Sequence, residues 1–244
     1  MLVLKNLCLD GINLSCLNLK NSDLRRSNLR NVDLSLSNLM ESNLSCSDLS
    51  DSKLINVLLC NSIAEETNFS RCDLSHINMD GSTIFGADFN ESNIRSGSLQ
   101  GCGMNGCKLV NCNLNNSNLS ESDLSECDFK SSILYNICAW NCLFTISNLS
   151  ECDISYSTMV NSIFDHAKII NSKLIGSILS GSSFKKVDLS GCDLRHAKLQ
   201  DVNLSNACLD RANLQYADLS GSNLTNCSMK DTIIHDTNFN DCKF

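Results

Sequence analysis

Every fifth residue of this chain is apolar, from Leu4 to Phe244, without an exception or a slip of phase. These 49 centres hold 30 Leu, 8 Phe, 5 Ile, 4 Met and 2 Ala, the two being Ala64 and Ala139. Amphipathic helices repeat every 3.6 residues and half-buried strands every 2, so a strict five excludes both as continuous elements. Two residues before each centre lies a second restricted column of 19 Ser, 10 Cys, 6 Ala, 4 Val, 3 Thr, 1 Gly and six Leu or Ile. A gap of two is strand spacing, because alternate residues of an extended segment point the same way. The pattern therefore predicts three extended residues and a two-residue bend, with each repeat forming one side of a polygon. The position two after the centre is the bend; it takes nine of the eleven glycines, with Asn, Asp and Glu common elsewhere.

The number of sides follows from the start of the chain. Leu2, Leu7, Ile12 and Leu17 fill the otherwise small column before it changes to Ser22 and Ser27. Four consecutive large residues predict an over-filled capping coil over residues 1–20, and so four sides per turn. On that count the chain makes about 12 coils, roughly 58 Å long at ~4.8 Å between stacked strands.

The run from Ala207 to Leu224, and the pairs Asn28-Leu29, Asp33-Leu34, Asn38-Leu39, Asn43-Leu44 and Asp48-Leu49, resemble the A(D/N)LXX motif of the pentapeptide-repeat proteins. The resemblance covers the whole chain. It implies an all-β fold, a right-handed quadrilateral parallel β-helix forming one domain over 1–244, with both restricted columns inside. The chain departs from the family pattern in preferring Ser and Cys to Ala in the small column. The resemblance extends to the quinolone-resistance members, acidic rods that bind gyrase as mimics of duplex DNA, although this chain lacks their projecting loops. It also implies a homodimer through the C-terminal coil, 225–244, where Met229, Ile234, Phe239 and Phe244 end the stack uncovered.

Ten of the 16 cysteines, among them Cys102, Cys107, Cys112 and Cys127, occupy the small column, where a thiol acts as a small apolar filler. Their spacing of five is the repeat itself and differs from the closer pairs of zinc sites. Cys8, Cys16, Cys46, Cys60, Cys138 and Cys208 point outward as free thiols, which fits a reducing, cytoplasmic setting. No metal, cofactor or catalytic residue is expected, because flat sides offer no cleft on which reacting groups converge. No apolar stretch approaches the ~18 to 20 residues of a membrane span, and no signal peptide is recognisable at the start.

Recognition then falls to the outward positions. The net charge of −8 and the pI of 4.9 disfavour direct nucleic-acid binding. Residues 61–130 carry Glu65, Glu66, Asp73, Asp80, Asp88, Glu91, Glu121, Asp123, Glu126 and Asp128 against four bases, a net of −6. That segment reaches about one charge per ~3 Å of rod, whereas DNA carries one per ~1.7 Å. A second outward feature is apolar: with a twenty-residue coil, Trp140, Val160 and Ile178 share one side with Cys138, while Leu143 and Ile163 lie on the next. Such a cluster reads either as an interaction site or as compensation for the core irregularity at Ile137 and Ala139. The expected function is a non-enzymatic protein-binding rod, an acidic mimic that binds a type II topoisomerase such as gyrase or topoisomerase IV. The alternative is a scaffold that binds another protein through the Trp140 cluster.

Overall fold

The computed structural model describes residues 2–244 and shows the polygon as a continuous stack of four-sided coils. The residue before each centre pairs with the residue twenty positions on, from Val3 with Asp23 to Asn223 with Lys243, and all 45 pairings are parallel. The ladder admits no insertion. Side 1 carries the centres Leu4, Leu24, Leu44 and onward to Phe244; side 2 starts at Leu9, side 3 at Leu14 and side 4 at Leu19. No helix is long and apolar enough to cross a membrane.

Every centre from Leu19 to Leu224 is buried, Leu74 and Leu124 included. Because residues twenty apart lie one above the other, phenylalanines on one side stack face to face. Phe144, Phe164 and Phe184 have ring centroids 4.7 and 4.6 Å apart, and Phe69 lies 4.9 Å from Phe89. Such contacts contribute about 0.5–1.5 kcal/mol each beyond the area they bury.

The small column explains its own preference for Ser and Cys. Ser122 Oγ donates to the Leu99 carbonyl at 2.6 Å and accepts the Cys102 amide at 3.0 Å. Ser62, Ser132, Ser162 and Ser182 bridge successive coils in the same way. Hydroxyls thus satisfy turn groups that alanine would leave to each other. Cysteine supplies only the donor half: Cys107 and Cys112 thiols reach the Ile84 and Phe89 carbonyls at 3.0 and 2.9 Å.

At the bends the residue two after each centre has φ between 53° and 73°, and 39 of these 48 residues are not glycine. With the Ser37 amide donating to the Leu34 carbonyl at 3.0 Å, the bend is a type II turn, which requires positive φ at its third residue. Asparagine and glycine suit it; Leu36, Ile146 and Tyr156 do not.

The two ends differ physically. Side chains of the small column lean toward the preceding coil, so in the first coil Leu2, Leu7, Ile12 and Leu17 lean over the open face and remain 39–49% exposed. They form an apolar lid open to solvent on its outer surface, over the half-buried Leu4, Leu9 and Leu14. At the other end Met229 and Phe239 are half-buried, while Ile234 and Phe244 are exposed, Phe244 to 71%.

Candidate protein-binding surface

Nine of the ten acids of 61–130 fall into two chemical groups, while the tenth, Asp80, accepts the Ser98 hydroxyl at 2.6 Å and the Gln100 amide at 2.9 Å. Asp73, Asp88, Asp123 and Asp128 stand immediately before their centres, where the carboxylate accepts the amide two residues on at 3.0–3.1 Å. Asn43, Asn118 and Asn148 do the same elsewhere, so these four serve the turn as uncharged residues could. Asp88 also lies 3.7 Å from Lys108, and Asp73 and Asp128 accept Asn93 and Asn148 side-chain amides at 3.1 and 2.9 Å. The glutamates are different. Glu65, Glu66, Glu91, Glu121 and Glu126 are exposed and form no ion pair among the described residues; Glu121 accepts the Gln100 side-chain amide at 3.1 Å and Glu66 the Cys46 thiol at 3.8 Å. They are distributed over the bends beside sides 1, 2 and 4, so the structure does not gather the nine acids onto one face.

The apolar residues are gathered. Leu143 pairs directly with Ile163 on side 1. Around the adjoining corner the Asn141 amide donates to the Val160 carbonyl at 3.0 Å, which sets Trp140 and Val160 in adjacent coils. On side 4 Thr158 separates Cys138 from Ile178. The cluster is also larger than the outward columns first suggest: Ile133, Tyr135, Ile146 and Tyr156 are exposed in the same coils. Tyr135 meets Tyr156 edge-on at 5.6 Å, and the Tyr156 ring lies over Gly176, where a Cβ would approach it to 3.0 Å. From Ile133 to Ile146 one coil therefore presents apolar residues on sides 3, 4 and 1 in succession. The signal was present in the sequence as large apolar residues at bend and pairing positions, which are polar almost everywhere else.

The thiols offer little chemistry. Burial pushes Cys72, Cys102, Cys142, Cys152 and Cys192 up to about 12 and Cys112 up to about 11. Cys127 is raised by the adjacent Cys107 thiol as well as by burial. All 16 cysteines are free, and no group of three or more His, Cys, Asp or Glu among the described residues could hold a metal ion. A shallow hollow on side 1 is bordered by Lys5, Arg25, Arg26, Cys46 and Glu65 and has no buried polar group aimed into it.

A family model described as pentapeptide repeats matches overlapping segments from residue 5 to 145 and from 147 to 244. No curated protein sequence matches the chain. Among solved structures, HetL of Nostoc sp. strain PCC 7120, a pentapeptide repeat protein involved in heterocyst differentiation regulation, is 20% identical and covers 96% of this chain and 87% of its own, with a TM-score of 0.35. A trypsin-treated variant of QnrB1, a plasmid-mediated fluoroquinolone resistance protein, is 13% identical over 91% of this chain and 89% of its own, with a TM-score of 0.49. A pentapeptide-repeat protein of the Arabidopsis thaliana thylakoid lumen is 23% identical over 55% of this chain and 72% of its own, with a TM-score of 0.25.

Proposed function

This chain belongs to the pentapeptide-repeat family, whose members form right-handed quadrilateral β-helices, and on that premise we propose that it is a non-enzymatic protein-binding rod. The observation that carries the reading is the apolar belt over 133–178, with Trp140 at its centre on side 4. Exposed tryptophan and tyrosine beside aliphatic residues supply large contact area at low entropic cost, the composition of interface hot spots. Ile137 and Ala139 are themselves buried, whereas Trp140 beside them stays exposed. The abundance of free thiols supports a reducing, cytoplasmic setting.

A second reading, a DNA mimic that binds gyrase or topoisomerase IV, rests on the five exposed and unpaired glutamates Glu65, Glu66, Glu91, Glu121 and Glu126. Pairing of two copies through Met229, Ile234, Phe239 and Phe244 belongs with that reading and lengthens the rod beyond 100 Å, twice the ~58 Å estimate.

Two assays separate the readings. Stoichiometric protein in a gyrase supercoiling assay, with and without a quinolone, has no effect under the belt reading; inhibition or protection that is lost on reversing Glu66 and Glu126 to Lys favours the second. Affinity enrichment from the host, comparing wild type with Trp140→Ala and Glu66→Lys, loses a specific protein only with Trp140→Ala. An identical set of retained proteins for all three refutes the belt as the recognition surface.

A further inference from the structure

We infer that side 1 packs against side 1 of a second copy of this chain, the two rods lying antiparallel, which leaves Trp140, Val160 and Ile178 on side 4 free for the heterologous partner. Side 1 is a flat set of columns. A two-fold axis crossing the rods within such an interface returns each column onto itself with its axial order reversed. With the axis level between the coils of Leu143 and Ile163, Leu143 faces the partner's Ile163, and the reverse contact forms at the same time. Both residues are 39% exposed and adjacent in one column, so the four make one apolar centre.

The same axis level matches the flanking charges. Glu126 and Lys186 occupy the same column, two residues after their centres and equally far on either side of that level. Glu126 consequently faces the partner's Lys186 and Lys186 faces the partner's Glu126. Within one chain they are three coils apart, about 14 Å, too far to pair. Both are exposed and neither has an opposite charge within 4.0 Å among the described residues, although Lys185 next door is held 3.9 Å from Asp165. Ile146 meets the partner's His166, Asp123 meets the partner's Ser183, and no pair of like charges is brought together in any column of side 1. Apolar contacts at the centre with opposite charges at the margins give both affinity and register.

The test is sedimentation velocity and small-angle scattering on the full chain, as wild type, Glu126→Lys, Lys186→Glu and a one-to-one mixture of the two variants. Wild type is expected to dimerise with a maximum dimension of roughly 72 Å, because an axis about one and a half coils from the middle of the ~58 Å rod offsets the two copies by three coils, ~14 Å. Each reversal weakens self-association at least about tenfold, because two attractive contacts become repulsive. The mixture restores dimers, since one variant then carries Lys and the other Glu at both positions; this also shows that both variants are folded. Three results overturn the inference: a monomer at roughly 100 µM, well above the range of standard-size interfaces; self-association unmoved by either reversal; or a dimer twice the rod length. The last indicates end-to-end pairing and leaves the Trp140 reading untouched.

Discussion

Ile146 is the residue at which the fold and the proposed function conflict most measurably. It is β-branched, 61% exposed, and held at φ 63° in a bend that suits asparagine or glycine. The left-handed conformation costs an L-residue about 1–2 kcal/mol, and a β-branched one lies at the upper end. Full burial of an isoleucine contributes about 1.5–3 kcal/mol. With more than half of the side chain in water, and part of that burial already present in the unfolded chain, the packing lost on substitution is roughly 0.5–1 kcal/mol. Ile146→Asn is therefore expected to stabilise the rod by about 1 kcal/mol, since Asn tolerates the conformation through local hydrogen bonding. For a chain of this length that raises Tm by about 2–4 °C. The mirror change, Asn141→Ile at the bend before it with φ 56°, should lower Tm by a similar amount. Differential scanning calorimetry on both variants is the assay. The strain argument fails if Ile146→Asn lowers Tm, or if neither substitution moves it by a degree. A strained, exposed apolar residue is retained at a cost to stability, which is expected where it makes a contact outside the chain.

Four further outcomes follow from packing, titration and burial. Phe164→Ala removes the middle ring of a three-ring stack in a buried column and should cost about 3–5 kcal/mol in guanidinium unfolding, whereas Phe244→Ala at the exposed end should cost under about 1 kcal/mol. Gly191→Ala places a Cβ against Asn171 Oδ1 at a bend of φ +68°, so it should destabilise, with the steric part recovered in an Asn171→Ala background. The buried thiols make stability fall in alkali. Their folded values, about 11 to 12, lie above the unfolded value near 9, so the unfolded chain sheds these protons first and stability declines from about pH 9 upward. Each thiol contributes a slope of about 1.4 kcal/mol per pH unit. A thiol-reactive dye at pH 8 should label Cys8, Cys16 and Cys46 quickly and the eight buried cysteines only on unfolding; rapid labelling of Cys107 or Cys127 would contradict the burial.

The core was legible because it is written in a single period. Leu74 and Leu124 could be placed inside, and the coil length followed from Leu2, Leu7, Ile12 and Leu17, because stacked strands force residues twenty apart into contact. What stayed hidden depends on atoms whose partners lie one coil away. The double role of Ser122, bridging Leu99 and Cys102, needs the coil closed before it can be seen. The aspartates illustrate the same limit: Asp73 and Asp128 count as charges in the sequence, yet they cap turns in three dimensions, which reduces the freely presented acids to five glutamates. The apolar cluster was half legible. Trp140 and Leu143 stood out, while Ile133, Tyr135, Ile146 and Tyr156 joined them only when the exposure of three consecutive sides could be compared.

The most direct test of the account is a scan with a photo-crosslinking amino acid in living host cells, placed in turn at Tyr156, Val160, Glu66, Glu91, Asn31 and Arg211. Recognition through the belt predicts adducts with a heterologous protein from positions 156 and 160 and none from the other four. Adducts confined to positions 66 and 91, or distributed evenly along the rod, would contradict it.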